Sequence, residues 1–159
     1  MSDEGASNNE QLLAACKQDQ SGLVQEILRD PKSVDVNCCD GVGNTPLHYA
    51  AQTGSVDCVQ LLVRVPGISP NIKNRMEQDT PLHKAAALHG DPDEALEITK
   101  LLVSAGADPR IVNRLKQRPM DLTDKEHPAL RRVLLQATLA FNMPHEQAED
   151  SDGDDYSSD

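Results

Sequence analysis

Apolar residues along this chain fall in short bursts at helical spacing, divided by polar turns, and the bursts return at a fixed distance. Leu12, Leu13, Ala15 and Cys16, then Leu23, Val24, Ile27 and Leu28, stand three and four apart. That spacing predicts a pair of short amphipathic helices. Leu47 lies 35 residues after Leu12, and Leu82 lies 35 after Leu47. Two further helices are predicted over Val56–Val63 and about 94–104, with Val59, Leu62 and Val63, or Ile98, Leu101 and Leu102, on the buried stripe. Leu130, Val133 and Leu134, fronted by His127-Pro128, predict a closing helix. An equal step of this size means one helix-turn-helix unit used repeatedly.

The polar punctuation repeats as well. Thr45-Pro46-Leu47-His48-Tyr49-Ala50-Ala51 returns as Thr80-Pro81-Leu82-His83-Lys84-Ala85-Ala86. Thr45 and Thr80 suit a helix N-cap, and Pro46 and Pro81 suit the first turn, where a missing N–H costs nothing. Gly106, after Ser104-Ala105, reads as a left-handed C-cap. Leu61-Leu62 to Leu101-Leu102 is 40 residues instead of 35, so five residues are inserted, and 89–93 reads as the inserted loop. Arg118-Pro119-Met120-Asp121-Leu122 is a degenerate copy without the Thr and His.

These residues resemble the ankyrin-repeat family over about 9–140. The resemblance implies an all-α solenoid of about four helix-turn-helix units with short β-hairpin loops, with repeats at about 9–39, 40–73, 74–112 and 113–141. Residues 1–8 and the acidic stretch 142–159 are expected to be disordered. It further implies a non-enzymatic protein-binding module whose loops and first helices line a concave face. Transferred position by position, that face takes Val42, Asn44, Gln52 and Thr53 from the second repeat. The third adds Met76, Glu77, Asp79 and Leu88, and the last loop adds Arg114, Leu115 and Gln117. Thr45, Pro46, His48, Thr80, Pro81 and His83 are implied to be structural, with the histidines fastening loops. Residues 75–79 depart from the pattern by having no glycine before the motif. A small repeat body with an acidic tail is also similar to fungal ankyrin chaperones of a basic ribosomal protein, so adaptor, inhibitor and chaperone roles all stand.

Composition narrows this picture. Hydrophobic residues are 38% of the 159 and aromatics 2%, so the core is aliphatic. Of the net charge of −11, the seven acids from Glu146 to Asp159, with no Lys or Arg among them, carry −7. Glu146, Glu149, Asp150, Asp152, Asp154 and Asp155 would steer a basic protein partner, fold back on the basic cap, or only keep the chain soluble. Ser151, followed by Asp152 and Asp154, resembles an acidophilic kinase site.

Arg110, Arg114, Lys116, Arg118, Lys125, Arg131 and Arg132 gather toward the C-terminal end. They suit a solvated face, a groove for an acidic partner, or RNA. The alternative function is therefore a ribosome- or RNA-associated factor, although with two Tyr and one Phe there is little to stack bases on. No signal peptide and no run of ~20 apolar residues is present, so a soluble monomer of the cytoplasm or nucleus is expected. No catalytic constellation, cofactor loop or metal-ligand spacing appears. Cys16, Cys38, Cys39 and Cys58 read as free thiols.

Overall fold

The computed structural model describes residues 2–143, with side chains from residue 8 onward. The acidic residues Glu146, Glu149, Asp150, Asp152, Asp154 and Asp155, the candidate phosphosite Ser151 and the disorder expected beyond residue 143 all lie outside the described residues.

Among the described residues there are seven α-helices and no strand: α1 (Ser2–Lys17), α2 (Ser21–Ile27), α3 (Pro46–Gln52), α4 (Val56–Val63), α5 (Pro81–Ala86), α6 (Pro92–Ser104) and α7 (Pro128–Asn142). Short 3-10 turns cover Pro31–Ser33 and Pro119–Leu122. The helices form two layers. α1, α3, α5 and the second 3-10 turn stack in sequence as the inner layer, and α2, α4, α6 and α7 stack behind them. Leu12, Leu47 and Leu82 are at most 1% exposed, which is why the step of 35 is kept: each fills the space between successive inner helices. Ala50, Ala51, Ala85 and Ala86 are fully buried, and their small side chains let neighbouring helices approach closely.

Helix starts and ends follow the punctuation. The Thr45 and Thr80 hydroxyls accept from the N–H groups of His48 and His83, and Pro46 and Pro81 occupy the first turns. Gly106 has φ 103° and ends α6, while Gly54 ends α3 at φ 74°. At the equivalent place after α1, Asp19 takes φ 59°, a left-handed conformation that Asp tolerates better than most residues.

Four expectations change. The hairpins hold no paired strand residues among the described ones; they are tight loops, each too short for a ladder. Residues 2–8, expected to be structureless, continue α1, because adding residues to a docked helix costs far less than starting one. The five-residue insertion is mostly an additional N-terminal turn of α6, with Asp91 as N-cap and Pro92 in the first turn. The Glu94 carboxylate of that turn approaches Gly54 of the preceding repeat, and the Pro92 carbonyl accepts from His127 Nε2 at 2.9 Å. Finally, the degenerate motif yields a 3-10 turn in place of an α-helix. Asp121 accepts from the Arg118 N–H at 2.8 Å, at the same three-residue spacing as Thr45 and His48.

Side-chain bonds also join the turns that follow successive outer helices. Asn37 donates to the Gly67 carbonyl and accepts from Ser69 N–H, both at 2.9 Å. Asn71 does the same to Gly106 and Asp108, at 3.1 and 2.8 Å. Arg110 closes the series by pairing with Asp108 at 3.0 Å. Its guanidinium also lies 5.2 Å from the Phe141 ring centroid, sealing the end of α7.

Candidate partner-binding surface

Three loops, 40–44, 74–79 and 113–117, project beyond the inner helices. Each is held by one side-chain oxygen at its start. Asp40 accepts from the N–H groups of Val42 and Asn44 at 3.2 and 3.0 Å. Asn74 accepts from Glu77 and Asp79 at 3.3 and 3.0 Å, and Asn113 from Leu115 and Gln117 at 3.0 and 2.9 Å. A backbone bond then closes each loop: Asp40 to Asn44, Asn74 to Asp79, and Asn113 to Gln117. The residue before the closing position is left-handed in all three, Gly43 at φ 85°, Gln78 at φ 58° and Lys116 at φ 65°. Glycine adopts this region freely, whereas other residues give up about 1–2 kcal/mol to do so. The glycine missing from 75–79 is therefore replaced by a strained Gln78.

The loops are bonded to one another. Arg75 N–H donates to the Val42 carbonyl at 2.9 Å, and Arg114 N–H to that of Glu77 at 2.8 Å. The Arg114 guanidinium reaches the carbonyls of Met76 and Arg75, each at 2.9 Å. Asn74 Nδ2 donates to Asn44 Oδ1 at 2.8 Å, and Asn113 Nδ2 to Asp79 Oδ1 at 2.9 Å.

Beneath them the two motif histidines link each repeat to the next loop. His48 Nε2 donates to the Asp79 carbonyl, and His83 Nε2 to that of Gln117, both at 2.8 Å. Nδ1 accepts from the N–H of Thr45 or Thr80 at 3.1 Å. A carbonyl can only accept, so both rings are the neutral Nε2–H form. Burial pushes both imidazoles below their ordinary 6.5, more than the bonds to carbonyls draw them up.

The outward positions include three apolar side chains, beside the charged Arg75, Glu77, Arg114 and Lys116. Val42, Met76 and Leu115 are 38%, 62% and 75% exposed, one on each loop. Behind them Val42, Asn44, Tyr49, Gln52, Asn74, Met76, Glu77 and Lys84 line a shallow depression against α3 and α5. Lys84 bridges Glu77 at 3.2 Å and Asp79 at 3.6 Å. The Asn74 bond, together with Lys84, holds the Glu77 carboxyl below its usual value despite partial burial. Tyr49 donates its hydroxyl to Asp40. Partial burial would raise the Asp40 carboxyl, but this bond and the loop N–H groups hold it down. The Lys17 ammonium lies 5.3 Å from the Tyr49 ring centroid.

The transferred positions therefore separate into kinds. Val42, Gln52, Met76 and Glu77 come together in the depression, and Leu115 stands exposed on the adjoining loop. Asn44 and Asp79 are 8% exposed and spend their side chains on neighbouring loops. Gln117 accepts from His83 and Asn113. The Thr53 hydroxyl is bonded back to the Tyr49 carbonyl at 2.9 Å, and Leu88 packs on the core. The transfer passed over Asp40, Asn74 and Asn113, whose signal is a short polar side chain at the first residue of each loop.

The family model for ankyrin repeats, in three copies, matches residues 12–113. An ankyrin repeat-containing protein of Saccharomyces cerevisiae is 32% identical over 131 residues, which cover 77% of this chain and 72% of that protein. Oxysterol-binding protein-related protein 1 of Rattus norvegicus is 42% identical over 69 residues, 43% of this chain and 7% of its own length. Zinc finger CCCH domain-containing protein 56 of Arabidopsis thaliana is 36% identical over 92 residues, 57% of this chain and 13% of its own. The chain thus spans most of the yeast relative but only a small part of the other two.

Proposed function

The chain belongs to the ankyrin-repeat family, whose repeats are generally protein–protein interaction modules, and we propose that it holds a partner protein against the three loops and the depression behind them. In this reading it does no chemistry and serves as an adaptor, inhibitor or chaperone. No helix among the described residues is long and apolar enough to cross a membrane. We place the protein in the cytoplasm or nucleus as a monomer, and its partner is basic where the acidic tail takes part.

One observation supports this reading above the others. Most polar side chains of the loops are bonded to each other and to the helices beneath, while Val42, Met76 and Leu115, each the third residue of its loop, stand exposed. A row of exposed apolar side chains on a fixed scaffold suits recognition of a protein surface. RNA contact through Arg110, Arg114, Lys116 and Arg118 has less support, since Arg110 and Arg118 are paired with Asp108 and Asp121 and Arg114 binds loop carbonyls.

Met76→Asp combined with Leu115→Asp tests the proposal. The full-length chain, used as bait in an extract of its source cells, is compared with the double variant by quantitative mass spectrometry. Specific prey should fall at least about tenfold at unchanged melting temperature, because both positions are exposed. Prey retained in full by the variant would put the binding surface elsewhere.

A further inference from the structure

Helix α7 buries Leu130, Leu134 and Ala137 and turns its other face outward, where no further repeat among the described residues covers it. Leu135 and Leu139, one turn apart on that face, are 50% and 56% exposed. At its N-terminal half Met120, Lys125, Pro128, Arg131, Arg132 and Leu135 line a cleft. Three cations line it and no carboxylate does. Arg131 donates to the Thr123 hydroxyl at 3.0 Å. None of the three is paired with a carboxylate among the described residues, whereas Lys84, Arg110 and Arg118 each are.

We propose that this cleft is the docking site of the chain's own acidic segment, with residues 150–155 laid against Lys125, Arg131 and Arg132. Charge is the first argument. Asp150, Asp152, Asp154 and Asp155 are four acids in six residues, with no Lys or Arg among them. Reach is the second. From Met143 back to Arg131 along α7 is twelve residues, about 18 Å at the helical rise. The seven residues from Met143 to Asp150 span about 23 Å when extended. The acids therefore arrive where the cations are, and the tether raises their effective concentration to about the millimolar range. The segment runs back over Leu135 and Leu139 on the way. A basic partner then competes for the acids, and an acidic partner competes for the cations. The docking uses none of the loop residues, so it stands apart from the loop surface proposed above.

Zero-length carbodiimide coupling of the full chain tests it. The reagent activates a carboxyl group, and the lysine amine displaces the resulting urea to form an amide. An equal mixture of 15N-labelled and unlabelled chains distinguishes links within a chain from links between chains. Expected are same-isotope peptides joining Lys125 to residues 150–155, with the yield falling at least about fivefold in 0.5 M NaCl, where the Debye length is only a few ångströms. Arg131→Glu with Arg132→Glu should abolish the link at unchanged helicity, and Arg131→Lys with Arg132→Lys should keep it. Links spread evenly over Lys17, Lys73, Lys84 and Lys100, or the absence of any link, would overturn the proposal. Mixed-isotope links alone would also overturn it, making a second copy the occupant.

Discussion

Residues 40–71 and 74–111 build one unit twice, with the same Thr-Pro-Leu-His start, the same buried alanines and the same histidine bond to the following loop. Among their differences three bear on backbone and packing. Gly43 is replaced by Gln78 at the left-handed loop position, α6 has a turn that α4 does not, and Val59 is replaced by Thr99 in the outer layer. The shared residues are those that join one repeat to the next. The divergent ones record what each repeat packs against, so the comparison sorts scaffold from circumstance.

The strongest way to break the comparison is at Gly43. A Cβ there would lie 2.7 Å from the Arg75 backbone nitrogen and 2.9 Å from its Cγ. Gly43→Ala should lower stability by roughly 2–4 kcal/mol, combining the left-handed conformation with the crowding. Urea unfolding should show this as a lower midpoint at constant slope. A loss below about 0.5 kcal/mol would mean that the loop tolerates a side chain at 43 as it does Gln78.

The shared histidines predict a pH effect of intermediate size. Both imidazoles are depressed below 6.5 by burial, so the folded chain binds fewer protons than the unfolded one. Stability is then complete above pH 6.5 and falls as the pH drops below it, by up to about 1.4 kcal/mol per unit for each histidine. Asp40, Glu77 and Asp108, whose carboxyls are also held low, contribute a separate loss that begins below about pH 5. Urea midpoints at pH 7.5 and 5.5 should differ clearly. Equal midpoints would show that the rings take a proton without giving up their loops.

The smallest effect sharpens the comparison in the outer layer. Thr99 Oγ1 is buried with no hydrogen-bond partner among the described residues, at the position that Val59 fills in the preceding unit. Thr99→Val should raise stability by about 1 kcal/mol by removing an unpaired hydroxyl at nearly constant volume. A loss in thermal denaturation would instead show that the hydroxyl has a partner in solution.

Helix order, caps and the Leu12–Leu47–Leu82 column could be read from the chain because their causes are local or repeat at a fixed step. The extra turn of α6 could not, since Asp91-Pro92-Asp93 suits a loop as well as an N-cap followed by a first-turn proline. The roles of Asn44 and Asp79 were hidden for another reason. A polar residue at the end of a loop reads as exposed, and their partners Asn74 and Asn113 lie 30 and 34 residues further on. The strained Gln78 was visible only as a missing glycine. That another loop residue, Lys116, adopts the same conformation emerges from the backbone alone.

The bonds of the two motif histidines both point forward along the chain. His48 waits for a carbonyl 31 residues ahead of it and His83 for one 34 ahead, while the last motif puts Asp121 at that place and reaches no later loop among the described residues. During synthesis each histidine therefore leaves the ribosome before the acceptor that completes its unit does. At roughly 5–20 residues per second that interval is roughly 2–7 seconds. Throughout it, the ring and its repeat do without the bond that joins them to the next loop.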